Sequence, residues 1–278
     1  MLRYLITELR LKFGTYFGWS IGLFLAALSF AAMYDQIAGD EAIRSQFESI
    51  DLEAIAIYQA FGVDNQFIAS LKNFLATYIS SMFIPLLGAF AIIAGSGTLV
   101  GEEDAGTLEM TMTLPLPRWQ IVLAKAIVLG LSVFFVCLAV GLGFGLGAEL
   151  IGANEPFEDL LMAGINLWPI AMVFASIAFF LGAYFPNRRP VWIVTTILLV
   201  TSLLIANLAE IVPSLESIAP FSPFYYFRNG LTEEILVREN ITLLVVIDVL
   251  ILLAMLAFQR RNITVGAWPW QRNRLPQN

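Results

Sequence analysis

Six long apolar runs, separated by short polar segments, dominate the pattern of hydrophobic and polar positions along the chain. A helix needs about 20 apolar residues to cross the hydrocarbon of a membrane. The pattern therefore predicts six transmembrane helices, over residues 14–34, 75–98, 121–147, 161–185, 191–211 and 240–258. The third run is rich in glycine, so we expect its outer end to unwind. Small residues around Ala31 fit the cleavage site of a signal peptide, but the first run is longer than the core of a typical signal peptide. We therefore expect this run to be a membrane span.

Two segments beside the first run are predicted to be amphipathic helices. At the N-terminus, apolar side chains recur every three or four residues, at Leu2, Leu5, Ile6, Leu9 and Phe13. This spacing predicts a helix that lies on the inner leaflet before the first span. Residues 43–61 show a similar spacing and predict a helix on the outer side. That helix would rest on the membrane surface, on a partner or on the chain's own spans.

A third segment, just before the last run, is unsuited to a straight span. Residues 213–223 hold three prolines, and four aromatic residues follow directly at 224–227. Backbone of this kind enters a membrane only where protein surrounds it, and aromatic side chains favour the membrane interface. We therefore expect a re-entrant or interfacial hairpin here.

The composition defines the class of protein. The 278 residues are 59% hydrophobic and 13% charged, whereas soluble domains are about 45–50% apolar and about 25% charged. We expect one all-α transmembrane domain over residues 1–278, and no nucleic-acid partner. The chain has no histidine and one cysteine, Cys137, which excludes histidine-based metal sites, Ser-His-Asp triads and an intrachain disulfide.

Basic residues predict the orientation, because Lys and Arg concentrate on the cytoplasmic side. With the N-terminus inside, four bases lie outside: Arg44, Lys72, Arg228 and Arg238. Eleven lie inside: Arg3, Arg10, Lys12, Arg118, Lys125, Arg188, Arg189, Arg260, Arg261, Arg272 and Arg274. We expect both termini in the cytoplasm of a cell or inner-membrane protein, with residues 101–120 forming a cytoplasmic loop.

That loop is the most polar segment between two spans. Its acids, Glu102, Glu103, Asp104 and Glu109, are expected to face solvent. The Gly106–Thr107 pair predicts the end of one helix and the start of a short second one, which Pro115 ends. Apolar residues alternate from Leu108 to Leu114, which alone would indicate a strand, but a strand here would have nothing to pair with. We therefore expect a short helix joined rigidly to two spans.

The loop resembles a motif of the permease subunits of ABC-2 type ATP-driven transporters. The matching positions are Glu102, Gly106, Thr107, Leu108, Glu109, Pro115, Arg118 and Lys125. Where the family often has Ser or Thr before the arginine, this chain has Pro117. The six spans, the amphipathic N-terminus, residues 222–224 and the basic pair at 260–261 extend the resemblance over most of the chain.

The resemblance implies that the loop is a coupling helix that docks on a separate ATPase subunit. The contact residues would be Glu102, Glu103, Gly106, Thr107, Leu108, Glu109, Met112, Pro115 and Arg118. It also implies a second permease copy, as a homodimer or a related heterodimer. The ATPase subunits would bind ATP and Mg²⁺, because this chain lacks the lysine of a phosphate-binding loop and would hold no cofactor itself.

Several functions remain open at this point. An exporter of a hydrophobic or amphipathic substrate fits best, since few charges lie within the spans. An ABC-coupled device that extracts lipid or strains the cell envelope would share every feature above. A membrane enzyme is disfavoured, because no nucleophile and base pair is visible.

Asp248 is the one ionisable residue well inside a span, and it would serve an ion- or proton-coupled carrier. An acid at a helix centre costs about 2.5–3.5 kcal/mol on insertion scales, so we expect it to face protein or water. It would then contact substrate or protons, or accept a hydrogen bond from a polar residue on a neighbouring span.

Small residues predict close helix contacts. Gly14, Gly18, Gly22 and Ala26 form a ladder along one stripe of the first span, which would serve a subunit contact or packing within the chain. The third span holds two similar pairs, Gly141 with Gly145 and Gly143 with Gly147.

Overall fold

The computed structural model describes residues 2–41, 45, 66, 68–113, 115–209 and 212–260. Among these residues, six helices are long and apolar enough to cross a membrane: α1 (Leu2–Gly39), α2 (Leu71–Ser96), α5 (Arg118–Leu150), α6 (Phe157–Tyr184), α7 (Arg188–Leu208) and α9 (Val237–Arg260). Shorter helices α3 (Val100–Asp104), α4 (Leu108–Met112) and α8 (Pro213–Glu216) lie between them. No strand occurs in the described residues. The prediction of an all-α membrane protein with six spans is confirmed.

The bundle is built around α5 and α6. α5 packs on α1 and α6, while α6 also packs on α2 and α9. α7 packs on α2 and α6. In contrast to these central helices, α1, α7 and α9 bury only a narrow face within the chain. Their other faces are left for lipid or for further helices.

The third span remains helical to Leu150, so the prediction that its outer end unwinds is wrong. Its glycines are packed tightly against neighbouring helices. A Cβ added to Gly143 would lie 2.7 Å from the Cβ of Ala27 on α1, and one added to Gly164 on α6 would lie 2.3 Å from the Cα of Gly141. The glycine pairs of this span therefore let helices approach within one chain, as small residues do in membranes.

The structure corrects the expectation of a separate N-terminal helix. The amphipathic segment is helical, but it continues into the first span without a break as α1. At about 1.5 Å per residue this helix is roughly 57 Å long, against about 30 Å for the hydrocarbon. Glu8 within the segment is buried and paired with Lys125 on α5, which holds the segment along the bundle.

The segment before α9 enters the bundle, as predicted. It consists of α8 and two short 3₁₀ turns, Ala219–Phe221 and Pro223–Tyr226. Phe224 is buried and stacks on Phe174 of α6, with ring centroids 5.3 Å apart. The Ser222 hydroxyl donates to the Ser202 carbonyl of α7 at 2.8 Å. These contacts anchor the second turn on α6 and α7, whereas most of the described residues from Val212 to Phe221 are exposed.

The predicted outer amphipathic helix over residues 43–61 lies almost wholly outside the described residues. The same holds for four of the basic residues that set the predicted orientation, Arg44, Arg261, Arg272 and Arg274. Those features stay predictions.

Candidate functional site

The polar segment between α2 and α5, residues 97–117, folds into two short helices joined by a glycine turn. We call it the α2–α5 segment. The N–H of Gly106 donates to the Glu103 carbonyl at 3.0 Å, and the N–H of Thr107 donates to the Glu102 carbonyl at 2.9 Å. This pattern is a Schellman turn. Gly106 has a φ of +70°, which side-chain-bearing residues rarely adopt. The predicted break at Gly106 is confirmed, and residues 108–112 form a helix rather than a strand.

One face of the α2–α5 segment is fixed against the bundle. Leu108 is 1% exposed, and Met112 packs against the same apolar core. Glu103 is also buried. The segment is therefore held in place by packing as well as by its two covalent ends.

A buried group of charges joins the segment to two spans. The Lys125 ammonium of α5 is 1% exposed and lies 2.6 Å from a carboxylate oxygen of Glu8 and 2.6 Å from one of Glu102. The Tyr4 hydroxyl donates to Glu8 at 2.7 Å, and Lys12 lies 3.4 Å from Glu102. We call these five residues the Lys125 cluster. With two acids and two bases it is neutral, which offsets the cost of burying its charges.

A second group joins the segment to α2 and α7. The backbone N–H of Arg188 donates to the Asp104 carboxylate at 3.1 Å, and its guanidinium donates to the Ile93 carbonyl at 3.1 Å. The indole N–H of Trp192 donates to the Ser96 hydroxyl at 2.6 Å. The guanidinium also lies 4.8 Å from the Trp192 ring centroid, a cation–π distance. We call these five residues the Arg188 cluster.

The acids of the segment are placed differently from the prediction. We expected them to face solvent, but Glu102 is paired with Lys125 and Glu103 is buried. Asp104 is exposed yet bonded to Arg188. Glu109 lies in α4. Glu102 is turned away from solvent because the ammonium groups of Lys125 and Lys12 pair with it.

Apart from Asp104, the described residues of the segment that face solvent are uncharged. Gly106, Thr107, Pro115 and Arg118 are exposed, and Trp119 at the start of α5 is 42% exposed. Of the predicted contact residues, these four therefore lie where a partner can reach them. Leu108 and Met112 instead anchor the segment to the bundle, as does Glu102.

The glycine ladder of α1 faces away from the chain. A Cβ added to Gly14, Gly18 or Gly22 would meet no atom within 4 Å. With Thr15, Trp19 and Leu23 they line an open groove of about 420 Å³. Packing within the described chain therefore does not use this ladder, and the subunit contact stays a prediction.

Gly18→Leu should weaken the pairing of two copies about tenfold if the ladder forms the subunit contact, because a bulky side chain prevents close helix approach. The variant should still fold, since the added side chain points into open space. The mass of the purified protein in mild detergent, measured by light scattering, checks this. Phe17→Leu, exposed on another face of α1, is the control. An unchanged dimer would move the contact to another helix.

Asp248 does not sit where we expected. It is exposed on the outward face of α9, and no hydrogen bond or ion pair joins it to another described residue. The interpretation as a carboxyl bonded to a polar residue on a neighbouring span of this chain is therefore wrong. No group of three or more metal-ligating side chains occurs within the described part of the chain either.

These features define a multi-pass membrane protein in which a polar inter-helix segment is clamped to the spans. The chain belongs to the ABC-2 family: the model for "ABC-2 family transporter protein" matches residues 14–263.

Two relatives agree with this family. Over 100 residues the chain is 38% identical to "Probable ABC transporter permease protein NosY" of Stutzerimonas stutzeri, covering 36% of this chain and 30% of the relative. Over 80 residues it is 36% identical to the protein of the same description from Pseudomonas aeruginosa, covering 29% of this chain and 27% of the relative. The matched stretches thus span less than a third of each relative. The chain is therefore a multi-pass membrane protein of the ABC-2 transporter family.

Proposed function

We propose that the chain is the permease of an ATP-driven exporter for a hydrophobic or amphipathic substrate. Two permease copies would assemble with two ATPase subunits, which bind ATP and Mg²⁺. The α2–α5 segment would dock on an ATPase subunit and pass its movement to the spans. The excess of bases at this end of the bundle supports a cytoplasmic position for the segment and for both termini.

The observation that carries the proposal is the attachment of the segment to four of the six spans. Its ends are continuous with α2 and α5. The Lys125 cluster adds α1, and the Arg188 cluster adds α7. A partner that displaces the segment therefore moves these four helices directly. A simple solvated connector would need neither cluster.

The chemistry of the exposed surface supports docking on a protein. Trp119 and Arg118 lie beside the exposed Pro115, and Trp and Arg are enriched in the centres of protein interfaces. Glu102 is paired with Lys125 and Glu103 is buried, so neither of these acids adds its charge to this surface. The contact would therefore depend more on shape and apolar area than on ion pairs.

An ABC-coupled device that extracts lipid or strains the envelope would use the same attachment. The first experiment therefore tests whether the permease binds and activates an ATPase subunit, and it does not identify the substrate. The chain is expressed together with the products of its neighbouring genes, purified and placed in lipid nanodiscs. The amount of copurified ATPase subunit and the rate of ATP hydrolysis are then measured.

Thr107→Trp should reduce the copurified ATPase subunit about tenfold, because a large side chain at the exposed turn obstructs docking. A substitution at an important interface residue changes the binding free energy by more than about 1 kcal/mol. Asn154→Trp is the matched control, an exposed polar residue at the opposite end of the bundle. It should leave both measurements unchanged. Full ATPase recovery by Thr107→Trp would contradict docking at this segment.

A further inference from the structure

The outward face of α9 carries a regular stripe with an acid at its centre. Ile241, Val245, Leu252 and Leu256 are 53%, 55%, 57% and 52% exposed, and the exposed Asp248 lies between the inner pair. From Ile241 to Leu252 the stripe residues are four, three and four positions apart, which is the spacing of a seam between two packed helices. We call these five residues the Asp248 stripe.

Asp248 lies near the middle of α9, which extends from Val237 to Arg260. At about 1.5 Å per residue, both ends of the helix are roughly 16–18 Å away. A short carboxyl side chain cannot reach either membrane surface from that depth. Acids at such a depth normally face protein or a water-filled cavity. We therefore expect the Asp248 carboxyl to contact a polar partner.

The described chain does not supply this partner. α9 directs Leu243, Ile247, Ala254 and Phe258 toward the bundle, where it packs on α6 and α5. Asp248 lies away from that face. Turning α9 to bring the carboxyl inward would break the packing of Ala254 and Phe258, which are both 0% exposed.

We propose that the Asp248 stripe binds a transmembrane helix of a different polypeptide, and that a side chain of this helix donates a hydrogen bond to the Asp248 carboxyl. The donor is a basic or amide group, because such a group complements an acid where lipid tails cannot. The apolar members of the stripe pack on either side of it. Polar side chains that bond across helices are a recognised source of association within membranes.

A second copy of this chain fits the stripe less well. In a two-fold contact the same residues face each other, so the carboxyl of Asp248 would meet its own equivalent. Two carboxylates at close range repel each other. A donor side chain on another polypeptide instead complements the carboxyl. The glycine ladder of α1 stays available for a second copy.

The test is photo-crosslinking of the full chain in native membranes. p-Benzoylphenylalanine replaces Val245 or Leu252 in the stripe, or Ile197 on α7, which is 58% exposed and serves as the control. One polypeptide, identified by mass spectrometry, should be captured at both stripe positions and not at Ile197. Asp248→Leu should lower the yield about tenfold, as expected for a lost interhelical hydrogen bond. Expression should be unchanged, because leucine inserts readily.

The chemistry of the captured helix decides whether the proposal is right. The cross-linked peptide should lie in a membrane span that contains Lys, Arg, Asn or Gln. Replacing that donor with aspartate, or Asp248→Lys alone, should lower the yield, and the two changes together should restore it. Adducts between two copies of this chain, adducts with lipid only, no adduct at all, or a yield that Asp248→Leu leaves unchanged would each overturn the proposal.

Discussion

Lys125→Met should lower the free energy of unfolding by about 3–5 kcal/mol, the usual effect of removing one partner from a buried ion pair. The variant leaves the carboxylates of Glu8 and Glu102 with only Lys12 to balance them. Thermal unfolding in detergent measures the change. Lys72→Met is the matched control, because Lys72 pairs with Asp159 at 2.9 Å but its side chain is 29% exposed. It should have a much smaller effect, as exposed pairs contribute little.

Adding Glu8→Gln to Lys125→Met separates stability from coupling. The double variant restores charge balance, with Lys12 facing Glu102, so most of the lost stability should return. The ion pair between α1 and α5 stays broken, so α1 is tied to the α2–α5 segment only through the weaker contact of Lys12 with Glu102. We expect a stable complex that hydrolyses ATP but moves α1 less. Equal loss of stability in the single and double variants would show that charge balance is not the cause.

Substitutions at Gly106 should rank by their tolerance of positive φ. Asn adopts this conformation readily and should be mild. Gly106→Ala should raise the conformational energy of the turn by about 1–2 kcal/mol. Pro should be most severe, because it fixes φ near −65° and removes the N–H that donates to Glu103. A Cβ at Gly106 meets no atom within 4 Å, so the backbone alone determines the ranking.

The measurement for this series is the ATP hydrolysis rate of the purified complex, together with the ATPase subunit recovered. Gly106→Ala should lower recovery about tenfold, the equivalent of about 1.4 kcal/mol. Gly106→Pro should abolish it while the permease still reaches the membrane. If Gly106→Pro and Gly106→Asn behaved alike, the geometry of the turn would not matter for docking.

Much of the fold could be predicted because long apolar runs determine membrane spans. The same holds for the turn at Gly106, since glycine followed by threonine marks a helix end in the sequence itself. The motif from Glu102 to Lys125 also pointed to the α2–α5 segment as the region of interest. These features are local, and each depends on residues within a few turns of one another.

The two charge clusters could not be predicted in the same way. Glu8 and Lys125 are separated by 117 positions, and Arg188 lies 84 positions from Asp104, so no periodicity links them. A signal was nevertheless present, because few acids occur on the basic side and Glu8 is the only acid of α1 before Asp35. For the same reason, the sequence did not predict that α1 continues without a break from the amphipathic segment into the first span. The pair of Glu8 with Lys125, which holds that segment along the bundle, joins residues far apart in the sequence.

The most direct test of whether the α2–α5 segment moves the spans is the distance between spin labels on two permease copies, measured with and without ATP. Spin labels are placed at Gly39, the exposed end of α1 far from the α2–α5 segment, in a chain that carries Cys137→Ala and is assembled with ATPase subunits. Pulsed electron paramagnetic resonance then measures the distance between the two copies with and without ATP. The distance should change on ATP binding in this chain and should change much less after Lys125→Met with Glu8→Gln. An identical ATP-dependent change in both would contradict transmission through the Lys125 cluster.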